Sequence, residues 1–376
     1  MMRHVLITND FLPKVGGIQA YLGEIYSRLD PESFLVITTR VPGCEDFDRD
    51  FGAPIVRLGK RLLPTPATVR KLNGLLAGFS PDLLVYDPIF PIGAARNAFN
   101  IPYALIAHGA EVRVPAYLPG LRTQLRRSIQ GSRGVIAAGG YPASEVRKLV
   151  PEANIHVVPP GIDPVRFCEV GDDQRERLRL KWMQSQERRL VLFVSRLVPR
   201  KGADTLLRAV ASLESMSDSS IPDMEIHIVG DGRDRQRLDR LAMTVSSPVL
   251  FHGRLDEQAK IELYQAADVF VFPARDRWFG VEQEGFGIVI LEAQACGTPA
   301  IVGASGGTPE ALVPSSGQLL VRGDPEELAA VLRRTLTNSS RLGSDRQATS
   351  AYVRDHFDYD QLSKAYGSAL CALING

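Results

Sequence analysis

Cysteine is scarce in this chain: Cys44, Cys168, Cys296 and Cys371 are scattered through 376 residues with no CxxC pair. That excludes a zinc-ribbon signature and suits a reducing compartment. Neither sign of charge prevails, with 44 Lys and Arg against 43 Asp and Glu, a net charge of +1. Nothing global therefore calls for nucleic acid as a partner, and basic clusters have to be judged locally. No apolar run approaches the ~18–20 residues of a membrane span. The opening MMRHVLITND runs straight into an apolar strand without a signal-peptide core, so a cytoplasmic protein is expected. No period of 20–50 residues repeats, and HExxH and Walker A patterns are absent.

Short apolar runs alternating with helical stretches occupy nearly the whole length. Candidate strands are 4–8, 34–39, 54–58, 82–86, 103–108, 134–138 and 156–158, then 190–195, 225–229, 249–252, 269–273, 300–302 and 318–321. Continuous Val/Ile/Leu runs of this kind are buried parallel strands, and the alternation implies α/β, doubly wound sheets. The length favours two domains. Between the two sets lies Val158-Pro159-Pro160-Gly161-Ile162-Asp163-Pro164, a stiff linker of three prolines and one glycine. The expected domains are 1–160 and 161–358, followed by an amphipathic helical stretch over 359–376.

The densest chemistry lies in EGFGIVILEAQACGTPAIVGASGGTPE, from Glu284 to Glu310. Glu284 and Glu292 stand eight apart, a spacing that returns to nearly the same face of a helix. A helix starting near Gly287 would aim both acids at one ligand, and Gly285 and Gly287 would let backbone N–H groups approach it. The competing reading is an amphipathic core helix with two solvated acids. A following strand and a second turn, Ser305-Gly306-Gly307-Thr308, favour a nucleotide-sugar pocket built from two βα turns.

Other strand ends add to this. Ser195-Arg196-Leu197-Val198-Pro199-Arg200-Lys201-Gly202 sets three cations behind a buried strand, and Arg196 and Lys201 could converge on a diphosphate. Gly230-Asp231-Gly232 begins like a dinucleotide fingerprint, but Arg235 occupies the third glycine position, so an NAD site is rejected. Gly16-Gly17 opens a helix that follows Thr8-Asn9-Asp10, an anion-favouring arrangement. His108 closes the 103–108 strand, where open α/β folds place ligands. The pairs Asp46/Asp48 and Asp358/Asp360 resemble metal-binding DxD motifs but follow no strand end and read as solvated loops. No metal or other cofactor is expected. Two basic-apolar patches, 57–63 and 118–127, could dock on anionic headgroups, at roughly 1 kcal/mol per cation, or form solvated faces.

The segments GGIQAYL, HGAEV, VVPPGIDPVRF, SRLVPRKG, IVGDG, HGRL, ADVFVFPAR and the long EGFG…E stretch together resemble retaining glycosyltransferases of the GT-B fold. TNDFLPKVGGIQAYL and PARDRWFGVEQEGFGIV are similar to actinobacterial phosphatidylinositol mannosyltransferases. The resemblance implies two Rossmann-like domains facing across a cleft, an acceptor-binding one first and a nucleotide-sugar-binding one second, with the last helix packing back on the first. It implies a mannose transfer from GDP-mannose to a phosphatidylinositol mannoside lipid at the cytoplasmic face of the inner membrane, with a UDP-sugar enzyme as the alternative. His108, Glu284, Arg196 and Lys201 would be catalytic. The donor would touch Gly16, Gly17, Arg196, Lys201, Gly230, Arg254, Glu284, Gly285, Phe286, Gly287, Ile288, Val289 and Glu292. The acceptor would touch Asn9, Asp10, Gln19 and Tyr21. One departure is Ala110, where the family's HGHEV segment carries a second histidine.

Overall fold

The computed structural model describes residues 2–90, 93, 98–216, 221–320, 323–337 and 346–375. The chain divides into two compact units, Met1–Gly161 with Tyr359–Gly376, and Ile162–Asp358.

The first unit is built on a seven-stranded sheet. Its strands are β1 (His4–Thr8), β2 (Phe34–Thr38), β3 (Ile55–Arg57), β4 (Leu83–Asp87), β5 (Tyr103–Ala107), β6 (Val135–Ala137) and β7 (Ile155–Val157). They lie in the order β3-β2-β1-β4-β5-β6-β7, and the pairings are parallel. Every residue of β1, β2, β4 and β5 is buried. Such strands are apolar along most of their length, with the buried polar residues His4, Thr8, Thr38 and Asp87 at their ends. The sheet order reverses between β1 and β4, so their C-terminal ends form the crevice where such sheets bind ligands. The helix Tyr359–Asn375 packs on the helix Gly17–Tyr26, and the Tyr26 and Tyr366 hydroxyls meet at 3.2 Å.

The second unit holds β8 (Arg189–Val194), β9 (Met224–Val229), β10 (Val249–Gly253), β11 (Val269–Phe272), β12 (Ala300–Gly303) and β13 (Gln318–Leu320). Their order is β10-β9-β8-β11-β12-β13, again with parallel pairings. Here the order reverses between β8 and β11. The expected end of the last strand, Val321, lies outside the described residues. Among the described residues no helix is long and apolar enough to cross a membrane.

Two expectations fail at this level. In the 57–63 patch, Arg57 is only 5% exposed and its guanidinium is clamped by Asp48 at 2.6 Å. It also donates to the carbonyls of Thr39 and Leu12. Leu62 is buried too, leaving Lys60, Arg61 and Leu63 as the outward residues of that patch. The Asp46/Asp48 pair lies in a short helix, Cys44–Asp50, and Asp48 is committed to Arg57. The 118–127 patch does face out: Leu118, Arg122, Arg126 and Arg127 are exposed along the start of the helix Pro119–Gln130.

Candidate active site

In the first unit, β1 and β4 end in register, Thr8 opposite Asp87. The Thr8 hydroxyl donates to Asp87 Oδ2 at 2.6 Å. The other oxygen, Oδ1, lies 2.6 Å from His108 Nε2 at the end of β5. Asp87 is fully buried, whereas the His108 side chain is 10% exposed. Burial alone would lower the His108 pKa. The Asp87 charge and hydrogen bond outweigh it, with help from Glu111 and Asp10, and hold the imidazole above its ordinary range. Glu111 braces the same turn: its Oε1 accepts from the N–H groups of His108 (2.5 Å) and Gly109 (3.2 Å). Gly109 has φ 116°, and a Cβ there would press to 2.6 Å from the Tyr141 ring, so the turn needs glycine.

Asp10 Oδ1 receives the Gln19 amide at 2.6 Å and is paired with Lys14. Gly16 caps the helix Gly17–Tyr26 without a side chain; a Cβ there would lie 2.2 Å from Gln19 Oε1. Glycine thus leaves Gln19 room to reach Asp10. Two residues expected to touch the acceptor have partners within the protein. Asn9 is committed to the Leu62 backbone, donating to its carbonyl at 3.1 Å and accepting from its N–H at 2.7 Å. Tyr21 is buried and its hydroxyl donates to the Val158 carbonyl at 3.0 Å. Its ring stands edge-on to His108 with centroids 5.9 Å apart, so it supports the histidine from behind.

In the second unit, a three-residue turn, Pro199–Lys201, follows β8. Gly202 fixes it against β11 with φ 82°, and a Cβ there would lie 2.0 Å from the Pro273 carbonyl oxygen. A Cβ on Gly230, at the end of β9, would lie 1.9 Å from the Ser195 carbonyl oxygen. Only glycine lets these strand ends pack backbone to backbone.

Lys201 Nζ lies 2.7 Å from Glu284 Oε2, and Arg200 Nε lies 3.5 Å from the same oxygen. Arg200 also pairs with Glu282 at 3.2 Å. Burial would raise the Glu284 pKa, but the Lys201 and Arg200 charges overcome it and keep the carboxylate ionised below its usual range. Burial lowers Lys201, and Glu284 only partly offsets that loss while Arg200 and Arg196 add to it. An ammonium so placed gains from any further anion. Arg196 is exposed and pairs with no acid among the described residues, and Arg254 is exposed beyond β10. The Glu284 N–H donates to Ser305 Oγ at 3.1 Å, joining the first glycine turn to the second.

A helix does begin at the expected place beside Gly287, but it does not carry both acids on one face. The helix Ile288–Ala295 begins after Gly287, which has φ 90°, so Glu284 lies in the loop before it. Glu292 is inside the helix and belongs to a separate set: Lys260 Nζ at 3.1 Å and the Tyr264 hydroxyl, donating at 2.8 Å. The Phe286 side chain is buried and packs edge-on to Phe357, which leaves its backbone to face a donor. Ile288 and Val289 lean on the core, which leaves the first helical turn, with Gly285 and Gly287, to offer backbone. Sequence reading missed Asp87, Glu111, Glu282, Lys260 and Tyr264. An acid followed by proline after the apolar run Leu83-Leu84-Val85-Tyr86 was a usable signal for Asp87.

The family model Glycosyltransferase Family 4 matches residues 15–166, and Glycosyl transferases group 1 matches 174–356. A Corynebacterium glutamicum protein is 32% identical over 364 residues, covering 95% of this chain and 94% of its own length. The chain is a glycosyltransferase of the family 4 type. That relative is named a GDP-mannose-dependent monoacylated alpha-(1-6)-phosphatidylinositol monomannoside mannosyltransferase. A Mycobacterium tuberculosis protein named GDP-mannose-dependent alpha-(1-6)-phosphatidylinositol monomannoside mannosyltransferase is 33% identical, covering 96% of each chain. Among solved structures, a sucrose-phosphate synthase from Thermosynechococcus elongatus superposes on this glycosyltransferase with TM-score 0.82 at 21% identity, covering all of both chains. Anabaena HepE in complex with UDP gives TM-score 0.81 at 18% identity, covering 99% of this chain and all of that one. The glycosyltransferase therefore has the GT-B fold, two Rossmann-like α/β domains.

Proposed function

We propose that this glycosyltransferase moves mannose from GDP-mannose to a phosphatidylinositol mannoside acceptor with retention of the α-configuration. The observation that carries the reading is the near full-length likeness to the Corynebacterium glutamicum enzyme of that name. The geometry supplies a chemical rationale. As the glycosidic bond breaks, the departing nucleoside diphosphate gains negative charge. Lys201, Arg200 and Arg196 stand at the switch point of the second sheet, where their charge is fixed before reaction and needs no reorganisation. Lys201 is under-compensated by Glu284 and so favours the charged leaving group over the neutral bond. Glu284, held ionised, suits a sugar hydroxyl or a developing oxocarbenium charge. Glu292, joined to Lys260 and Tyr264, is assigned to the ribose. His108, oriented by Asp87, is assigned to the transferred sugar, and Asp10 with Gln19 to the acceptor.

On this reading the second unit holds the nucleotide sugar and the first the acceptor, at the cytoplasmic face of a membrane reached through the 118–127 patch. The test incubates the purified protein with GDP-mannose, UDP-glucose or UDP-N-acetylglucosamine, each with phosphatidylinositol or its monomannoside. Mass spectrometry is expected to show one added hexose only with GDP-mannose and the monomannoside, and NMR an α-anomeric linkage. Transfer from a UDP-sugar alone would replace the donor assignment.

A further inference from the structure

Beyond the donor cluster, the tip of one loop has no role in the chemistry above. Arg277 and Glu282 form an isolated antiparallel bridge, each N–H bonded to the other's carbonyl at 3.1 Å or less, with Trp278-Phe279-Gly280-Val281 as the tip. Trp278 is 67% exposed and Phe279 fully so. Both lie in the left-handed region, with φ 54° and 56°, which bulky side chains rarely adopt. Strain of this kind persists only where the surroundings enforce it. Here they do. The Glu282 carboxylate ties to Arg277 at 3.2 Å and to Arg200 at 3.2 Å. The Arg275 guanidinium grips Asp204 at 2.9 Å, and the Arg275 backbone N–H donates to the Arg200 carbonyl. Asp276 accepts from Ser305 at 2.8 Å. The base is rigid, and two aromatic rings are carried on it into water.

We propose that the Trp278–Phe279 tip is a membrane anchor that inserts at the boundary between headgroups and acyl chains of the bilayer. The inference rests on the reading that the acceptor is a lipid. Two aromatic side chains cover at most ~300–500 Å², short of the ~800 Å² per partner that a stable protein interface buries. A bilayer imposes no such minimum. The tip is uncharged, and its flanking acid and base neutralise each other, which suits lipid rather than an acidic or basic peptide. The Arg277 guanidinium, 5.2 Å from the Trp278 ring centroid, steadies the ring at the base of the tip.

The chain has two tryptophans, so Trp182→Phe leaves Trp278 as the reporter in the full-length protein. Vesicles of phosphatidylcholine with phosphatidylinositol are expected to shift its emission to the blue, and brominated acyl chains to quench it. The double variant Trp278→Ser/Phe279→Ser is expected to lose vesicle partitioning by roughly tenfold or more, while its thermal shift with GDP stays at the wild-type value. Three results would overturn the inference: vesicle binding without change at Trp278, no vesicle binding by the wild type, or a lipid-free blue shift that grows with protein concentration. Insertion of Trp278 without mannosyl transfer defeats the functional reading alone. Wild-type transfer to vesicle-borne acceptor by the double variant defeats the anchor alone.

Discussion

Asp87 and His108 end neighbouring strands and meet across a 2.6 Å hydrogen bond, with the carboxylate buried and the imidazole at the rim. The pair sets the charge of His108. Asp87→Asn keeps a partner for His108 and for Thr8 but removes the negative charge. The His108 pKa is then expected to fall, read directly from its imidazole proton resonances. The high-pH limb of transfer should move down by the same amount if His108 works protonated. An unmoved resonance titration would deny Asp87 this role.

Lys201 is the cation most deeply held by Glu284. Replacing it with alanine leaves Glu284 to Arg200 alone and removes one preorganised charge from the leaving diphosphate. Turnover with GDP-mannose is expected to fall by about 10²–10³. Lys201→Arg should recover little, because the buried site fits a point charge and not a planar fork. Steady-state kinetics check both, and unchanged turnover in the alanine variant sinks the diphosphate assignment.

The parallel strands and the linker were legible because buried strands need unbroken apolar runs, a local property of the sequence. What failed was non-local. Arg57 reads as a surface cation until Asp48 and the carbonyls of Leu12 and Thr39 close around it. Asn9 reads as a ligand group until the Leu62 backbone occupies both ends of its amide. Asp87 was hidden by a one-residue shift in the strand, expected over 82–86 and found over Leu83–Asp87, since aspartate before proline looks like a turn. The Glu284/Glu292 spacing was persuasive for a wrong reason. A left-handed Gly287 starts the helix after Glu284, and the two acids find different cations.

Gly230 was expected to touch the donor, and the structure gives it a packing duty as well. Alanine at φ 127° would set its Cβ 1.9 Å from the Ser195 carbonyl oxygen. Neither backbone can yield cheaply, so Gly230→Ala should cost about 1–3 kcal/mol, a fall of roughly 5 °C in the melting midpoint. Calorimetry decides this, and an unchanged midpoint would show that β8 and β9 relax apart freely.

Acid should weaken the second unit through a buried histidine pair. His252 Nε2 and His227 Nδ1 lie 3.0 Å apart. Burial first, then the neighbouring His252, pushes His227 down to about 4, and burial lowers His252 as well. Glu225 stands 3.9 Å from His227 Nε2, and Trp182 packs edge-on to His252. Because the folded pKa of His227 is depressed, the unfolded chain binds more protons between the ordinary 6.5 and about 4, and stability falls as pH falls through that window. His108 works in the opposite sense: its raised pKa stabilises the fold in acid and that contribution is lost as pH rises through the folded value. His227→Gln can still accept from His252 but cannot titrate. Its unfolding free energy should therefore lose about 1.4 kcal/mol less per pH unit than the wild type through the middle of that window. Urea titrations across the window measure the difference, and parallel slopes for the two proteins would place the acid sensitivity elsewhere.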